Sequence, residues 1–204
     1  MAKLCVGTTN RGKQRELREL LGDWPGEIVF PQQLGLALDV TETGQTFAEN
    51  AAQKARAYAR AAGMPALADD SGLEVDALGG APGIRSARYA GPGASDEDRV
   101  RKLLVELEGV PLAQRTARFR CAVAIARPDG RVSITDGICE GRIAFAPRGE
   151  NGFGYDPVFV VSGRGVTMAE LPAEVKNQIS HRARALRAAR PLLDALLDTG
   201  EGQP

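Results

Sequence analysis

The chain has 204 residues, of which 43% are hydrophobic and 25% are charged. These values are ordinary for a globular protein, and they exclude a disordered, collagen-like or coiled-coil chain. Twenty-six basic residues balance twenty-six acidic ones, and this neutrality disfavours binding to long nucleic acids or anionic membranes while allowing local anion sites.

Helical and strand periodicities alternate along the chain. Apolar residues at helical spacing predict helices over residues 12–21, 46–63, 95–109 and 180–196. Apolar runs predict strands over residues 3–8, 27–30, 66–68, 73–75, 116–126 and 131–146, with one more inside 153–161.

Local turn and capping residues set several boundaries. Thr46 and Glu49 predict a capping box at the start of the second helix, and Gly63 ends that helix. Five glycines and two prolines within residues 79–93 are too many for the interior of a helix or a regular strand, so a loop is predicted there. Pro128-Asp129-Gly130 predicts the turn of an antiparallel hairpin. Strands interspersed with helices, together with this hairpin, indicate an α/β fold with a mixed sheet.

Cysteine and histidine usage limits the possible chemistry. Cys5, Cys121 and Cys139 are widely spaced, which excludes a CxxC pair and predicts buried thiols in a reducing compartment. The first residues lack the apolar core of a signal peptide, and no run of eighteen apolar residues occurs, so we expect a cytoplasmic protein. His181 is the sole histidine, which excludes a zinc site with two histidine ligands from one chain.

The first strand-to-helix connection has the spacing of a phosphate-binding loop. Gly7-Thr8-Thr9-Asn10-Arg11-Gly12-Lys13 matches GxxxxGK, but a P-loop then requires Ser or Thr for Mg²⁺, and this chain has Gln14. A helix N-terminus with Lys13 remains a good anion site. The alternative is a surface turn with a solvated lysine.

Asp69-Asp70-Ser71-Gly72 follows the apolar residues 66–68. Adjacent carboxylates repel each other unless a cation neutralises them, and Mg²⁺ does so with one or two carboxylates plus water and phosphate oxygens. A turn in which Asp and Ser cap backbone amides explains this tetrapeptide equally well.

Two later segments carry residue types suited to a nucleotide. Ser180 precedes His181 and Arg182 at the start of the last helix, where cations oppose the helix dipole and an anion or an electron-rich base edge would compensate. The alternative is a solvated basic face, to which Arg184, Arg187 and Arg190 also belong. Phe153 lies between two glycines, where an exposed ring could stack on a base or could instead plug the core.

Three other functions are compatible with parts of this pattern. A P-loop kinase or NTPase would use residues 7–13 with Asp69 or Asp70 on magnesium. An RNA-binding module would use the arginines of the last helix and Phe153. A Ser-His-Asp hydrolase could use Ser71 and His181, although the GxSxG elbow is missing.

Taken in order, these segments resemble the inosine triphosphate pyrophosphatase, or Ham1, family, and the resemblance spans nearly the whole chain. Thr9 stands where the family often has Gly. The matching motifs are Thr8-Thr9-Asn10 with Lys13, Phe47-Ala48-Glu49-Asn50 through Lys54-Ala55, Ala68-Asp69-Asp70-Ser71-Gly72-Leu73, Pro82-Gly83, Ser86-Ala87-Arg88-Tyr89, Phe153-Gly154-Tyr155-Asp156-Pro157, and Lys176 with Ser180-His181-Arg182.

The resemblance implies Mg²⁺-dependent hydrolysis of ITP, dITP or XTP to the monophosphate and pyrophosphate, which cleanses the nucleotide pool. Asp70 would be the general base and, with Glu42, a metal ligand. The triphosphate would be held by Thr8, Thr9, Asn10, Arg11, Gly12, Lys13, Lys54 and Ser71. Sugar and base would be enclosed by Phe153, Gly154, Tyr155, Asp156, Lys176, His181 and Arg182.

The resemblance also implies the architecture and the partners. We expect residues 1–204 to form a single domain, with an elongated, twisted mixed sheet, flanking helices and two lobes around a central cleft. We further expect the protein to form a homodimer and to bind a purine nucleoside triphosphate as its substrate. We expect it to bind neither nucleic acid nor a membrane.

Overall fold

The computed structural model describes residues 1–197. Its strands are β1 (Lys3–Val6), β2 (Glu27–Val29), β3 (Ala66–Val75), β4 (Thr116–Ala126), β5 (Val132–Ile143) and β6 (Phe159–Val161). Its helices are α1 (Arg11–Leu20), α2 (Phe47–Ala62), α3 (Asp96–Glu106), α4 (Ala173–Ile179) and α5 (His181–Leu197). None of these helices is long and apolar enough to span a membrane.

The six strands form one sheet in the order β2-β1-β3-β4-β5-β6. β1 runs parallel to β2 and β3, whereas β5 and β6 are antiparallel. β4 and β5 are neighbours joined by a tight turn in which the N–H of Gly130 donates to Arg127 O. So short a connection requires an antiparallel pair, since a parallel one needs a crossover of a dozen residues or more. The predicted mixed α/β sheet and hairpin are therefore confirmed.

The chain divides into two compact units. Of the described residues, unit 1 contains Met1–Asp70, Cys121–Gly137 and residues 182–197, and unit 2 contains Ser71–Arg120 and Ile138–His181. Strands β3, β4 and β5 contribute residues to both units, so the functional residues of these strands are described with the unit that contains them.

Unit 1 has a hydrophobic core on each face of its strands. Leu4 and Val6 of β1 belong to one buried cluster together with Leu17 of α1 and Leu186 of α5. The intervening Cys5 belongs to a second cluster, which contains the alanines of α2. Burial on both faces is typical of parallel strands covered by helices. All three cysteines are buried free thiols, as predicted.

Unit 2 has its own core, which surrounds the second half of β3. Leu73 and Val75 pack in one buried cluster with Leu103 of α3, Phe119 of β4 and Phe159 of β6. The glycine-rich segment contains a 3-10 helix over Gly83–Arg88. Ser86 of this helix accepts a hydrogen bond from the N–H of Leu73 at 2.9 Å and donates to Gly83 O at 2.7 Å, so it ties the segment to β3.

Three local predictions need correction. Residues 66–68 and 73–75 are not two strands around a loop, because β3 continues through Asp69-Asp70-Ser71-Gly72. At α2, Thr46 Oγ1 accepts from the N–H of Glu49, as predicted, but the Glu49 carboxylate accepts from the N–H of Gln45 rather than closing the box on Thr46. Helix α4 lies where the sequence pattern predicts no element.

Candidate active site

The loop before α1 is organised by its own polar side chains. Asn10 caps the helix, since its Oδ1 accepts from the N–H of Lys13 at 3.0 Å, and the N–H of Asn10 donates to Thr8 Oγ1 at 3.3 Å. Gln14 donates its amide to Thr8 O at 2.8 Å, so this residue closes the loop. The first-turn N–H groups of Arg11 and Gly12 have no intrahelical acceptor, and together with the Lys13 ammonium they make this helix end electropositive.

Strand alternation separates the two adjacent aspartates. Successive side chains of a β-strand point to opposite faces. Asp69 lies on the face of Leu67, which packs against α1 and α5, and Asp70 lies on the face of Ala68, which packs against α2. The close ion pairs of the two carboxylates therefore differ: Asp69 pairs with Lys13 and Arg182, and Asp70 pairs with Lys54.

Asp70 meets Lys54 and Asn50, which are one helical turn apart on α2. The Lys54 ammonium lies 3.0 Å from Asp70 Oδ1 and 2.7 Å from Glu42 Oε1. Asn50 donates to Asp70 Oδ2 at 3.2 Å. Burial raises the pKa of Asp70 above its ordinary value, although Lys54 and Lys13 act in the opposite direction.

The loop that carries Glu42 is fastened to α2. Gln53 accepts from the N–H of Thr43 at 3.2 Å and donates to its hydroxyl at 3.0 Å. Asn50 Oδ1 accepts from the N–H of Gly44 at 2.9 Å. A Cβ at Gly44 would lie 2.7 Å from that same Asn50 oxygen, so this close approach requires glycine. Glu42 is thus held near Asp70 by polar side chains of a single helix.

Asp69 lies in a buried network of charges. Its Oδ2 is 3.0 Å from the Lys13 ammonium and 3.0 Å from Nη2 of Arg182. Arg182 also pairs through Nη1 with Glu16. Burial would raise the pKa of Asp69, but Lys13 and Arg182 outweigh it and hold the pKa far below its ordinary value. Asp69 is therefore a permanent anion that fixes two cations.

The oxygen donors of unit 1 suit a hard divalent cation bound together with substrate. No group of three or more His, Cys, Asp or Glu side chains within residues 1–197 is arranged as a metal cage. Mg²⁺ seldom needs one, because it keeps several waters and binds one or two carboxylates plus phosphate oxygens. Glu42 and Asp70 already converge on a single cation, the Lys54 ammonium. The carboxylates of Glu42 and Asp70 therefore match the ligands that Mg²⁺ prefers.

Unit 2 contains the aromatic loop, which we define as residues 152–156. Phe153 is half-buried, and the Lys176 ammonium lies 5.1 Å from the centre of its ring. Lys176 also pairs with Asp156, whose Oδ2 accepts from the N–H of Phe153 at 2.9 Å. A Cβ at Gly152 would lie 2.0 Å from the same Asp156 oxygen. Buried charges and a glycine thus set the position of the ring.

Tyr155 and His181 lie within the packed interior of unit 2. Tyr155 is buried, and its hydroxyl donates to Ser86 O at 2.9 Å. His181 is also buried and stacks on Phe119, with ring centres 4.8 Å apart. Gly154 donates its N–H to Asp96 Oδ2 at 2.7 Å. Ser71 is half-buried and follows Asp70 in β3.

The arginines of α5 do not form one solvated face. Arg184 and Arg187 are exposed, and Arg190 pairs with Asp23 and Asp194. Arg182, in contrast, is 1% exposed within its pair of carboxylates. An RNA-binding face made of the arginines of α5 would need their guanidinium groups at the surface. The buried position of Arg182 therefore weighs against the RNA-binding interpretation.

Residues 4–192 match the model of the Ham1 family. The chain belongs to this family. It is 54% identical over 186 residues to a dITP/XTP pyrophosphatase of Geobacillus kaustophilus, covering 91% of each chain, and 52% identical to one of Geobacter sulfurreducens, covering 91% of this chain and 94% of the relative. A solved structure of a HAM1 protein from Coxiella burnetii is 43% identical, with a TM-score of 0.86 and coverage of 96% of this chain and 100% of that one.

Family membership confirms the resemblance found in the sequence, and it argues against the P-loop and Ser-His-Asp interpretations. Sequence reasoning assigned no role to two residues that contact the aspartates or their partners, Glu16 and Asn50. Glu16 lies three residues after Lys13 on the stripe of α1 that buries Leu17, and a carboxylate on an apolar stripe is the signal that could have identified it. Asn50, four residues before Lys54, lies on the same face of α2 and was recoverable from that spacing.

Proposed function

We propose that this protein hydrolyses non-standard purine nucleoside triphosphates, namely ITP, dITP and XTP, to the nucleoside monophosphate and pyrophosphate, and so cleanses the nucleotide pool. One observation carries the proposal. The Lys13 ammonium lies 3.0 Å from Asp69, the Lys54 ammonium lies 3.0 Å from Asp70, and the two aspartates are consecutive in β3, so two cations and two buried acids lie together beside the N-terminus of α1.

The triphosphate would bind to the cationic side of this cluster. It brings about four negative charges, which a chain with no net charge must neutralise locally. We assign phosphate contacts to the loop formed by Thr8, Thr9, Asn10, Arg11, Gly12 and Lys13, and further contacts to Lys54 and Ser71. Lys13 reaches the phosphates from a fixed position because Asp69 holds its ammonium at 3.0 Å.

Asp70 would orient and deprotonate the attacking water. A general base works best when its pKa approaches the working pH, and burial moves the pKa of Asp70 in that direction. Asn50 and Lys54 fix the two oxygens of its carboxylate. Mg²⁺ held by Glu42 and Asp70 would supply charge stabilisation at the phosphate oxygens.

The aromatic loop would bind sugar and base. Phe153, with a cation on its ring, offers a stacking surface, and Gly154, Tyr155, Asp156 and Lys176 shape the loop around it. We assign recognition of the purine 6-oxo group to a donor on His181 or Arg182. The 6-amino group of adenine would place a donor against that donor, and such a mismatch can yield selectivity on the order of 10⁴.

We also infer the cellular location, the oligomeric state and the partners from the family resemblance. The protein would be a cytoplasmic homodimer that uses neither nucleic acid nor membrane as a partner. The organisation of residues 1–204 as a single two-lobed domain stays a prediction.

A pyrophosphate-release assay tests the activity. With Mg²⁺, wild type is expected to release pyrophosphate from ITP, dITP and XTP with far higher kcat/KM than from ATP and GTP, and chelation by EDTA is expected to stop it. Release of orthophosphate, or transfer of the γ-phosphate, would instead support a P-loop enzyme and refute the proposal.

Two variants test the assigned roles. Asp70→Asn is expected to lower kcat by at least about a hundredfold, whereas Asp39→Asn, a matched change of an exposed carboxylate, leaves it unchanged. Near wild-type turnover of Asp70→Asn at saturating substrate and metal would show that Asp70 is not the base. Lys13→Ala is expected to raise KM or lower kcat, unlike Lys3→Ala at the surface. If it changes neither, the first loop is not the phosphate site.

A further inference from the structure

The two peptide N–H groups on either side of the Phe153 Cα are each held by a carboxylate. The N–H of Phe153 donates to Asp156 Oδ2 at 2.9 Å, and the N–H of Gly154 donates to Asp96 Oδ2 at 2.7 Å. Hydrogen bonds to an ionised acceptor are shorter and stronger than neutral ones. Two such bonds at consecutive residues fix the direction in which the Phe153 side chain leaves the backbone.

The backbone of the aromatic loop needs these two hydrogen bonds because a glycine lies on each side of Phe153. Gly152 and Gly154 have φ values of +79° and +65°, in a region that other residues rarely adopt. A backbone with this freedom does not hold a side chain in one direction by itself. Asp156, paired with Lys176, holds one side of Phe153, and Asp96 holds the other.

Asp96 is itself well positioned for this contact. It is the first residue of α3, directly after the capping residue Ser95. Arg99, one turn later, pairs with Asp96 and donates to Ala94 O at 2.8 Å and to Ala87 O at 3.0 Å. The guanidinium therefore locks the Asp96 carboxylate to the start of a helix, which is a more rigid support than a loop.

We propose that Asp96 is a positioning residue for base recognition: through the N–H of Gly154 it fixes the ring of Phe153 on which the purine stacks. Asp96 need not touch the substrate. The inference rests on the proposed function, in which Phe153 binds the base, and it adds a residue of α3 to those that determine how tightly that base is held.

The prediction separates the base from the phosphates. Asp96 contacts the aromatic loop and Arg99 but none of the residues assigned to the phosphates. Asp96→Ala is therefore expected to weaken binding of dIMP, which contains the base, by about tenfold, the effect of losing one hydrogen bond to a charged group. Binding of magnesium pyrophosphate is expected to stay within about twofold of wild type. In turnover of dITP, the loss would increase KM with little change in kcat.

Two further variants separate positioning from stability. Asp96→Asn keeps an oxygen for the N–H of Gly154 and is expected to recover most of the dIMP affinity. Glu97→Ala removes a charge from the same first turn of α3 and is expected to leave dIMP affinity unchanged. Isothermal titration calorimetry on the full chain measures the affinities for dIMP and for magnesium pyrophosphate. Amide hydrogen exchange of residues 152–156 measures how firmly the aromatic loop is held. Exchange is expected to be faster than in wild type in Asp96→Ala and unchanged in Glu97→Ala.

The outcomes distinguish this inference from the proposed function. Unchanged loop exchange or unchanged dIMP affinity in Asp96→Ala overturns the inference, and so does an equal loss of dIMP and pyrophosphate binding, which indicates general damage. Wild-type protein that releases no pyrophosphate from dITP refutes the proposed function instead, and the exchange and dIMP measurements still decide the role of Asp96.

Discussion

Removal of the buried Arg182 guanidinium tests the charge network around Asp69. Lys13, Arg182, Asp69 and Glu16 sum to zero charge, and Arg182→Met leaves one excess negative charge in the interior of unit 1. Arg182 and Asp69 lie 3.0 Å apart, which corresponds to roughly 5 kcal/mol at an effective dielectric constant of about 20. Part of that attraction offsets the desolvation of the two ions, so the net cost of the variant is expected to be about 3–5 kcal/mol.

Urea unfolding followed by circular dichroism measures this cost. The double variant Glu16→Gln/Arg182→Met is expected to be more stable than Arg182→Met alone, because it also removes the excess negative charge, on one of the two carboxylates that pair with Arg182. Arg184→Met, an exposed arginine of the same helix, serves as the control and is expected to stay within about 0.5 kcal/mol of wild type. A loss below about 1 kcal/mol for Arg182→Met would show that the network does not stabilise unit 1 in this way.

Two further predictions concern unit 1. Thr46→Ala removes the side-chain acceptor for the N–H of Glu49 at the start of α2 and is expected to cost about 1 kcal/mol in urea unfolding, whereas Thr46→Ser keeps a hydroxyl and is expected to cost less; equal losses in the two variants would contradict the capping role. Burial raises the pKa of the Cys5 thiol to about 11, so at pH 8 only about one molecule in a thousand carries the reactive thiolate. We therefore expect Cys5 to react with a thiol-specific disulfide reagent only after unfolding in guanidinium, and prompt labelling of Cys5 in the native protein, located by peptide mapping, would contradict its buried position.

Local rules were sufficient where an element is defined by neighbouring residues. Helix α2 is flanked by its caps Thr46 and Gly63 and has Glu49 in its first turn. Capping preferences therefore predicted its bounds almost to the residue. The same reasoning placed the N-terminus of α1 next to Lys13, and the anion site proposed there stays a prediction. Helix α4 was missed because it has only seven residues, fewer than a periodic pattern needs to be recognised.

The continuity of β3 could not be read from local preference. Asp, Ser and Gly favour turns, and β-propensity scales disfavour Asp and Gly in strands. Lys13 and Arg182 reach Asp69 from helices 56 and 113 positions away in the sequence. Neutralisation by these distant cations allows two carboxylates to occupy consecutive positions of a buried strand, and it overrides the local preference for a turn.

Consecutive carboxylates acquire different roles from one geometric fact, the period of two residues along a strand. Asp69 faces Lys13 and Arg182, which keep its pKa far below the ordinary value, so its constant charge suits it to hold cations. Asp70 faces α2, where burial raises its pKa despite Lys54, and this environment supports its proposed proton-accepting role. Proteins give neighbouring acids different functions, such as holding a cation and accepting a proton, by placing them in environments that shift their pKa values apart. The face of β3 that Asp70 occupies is therefore the structural basis for proposing it as the base.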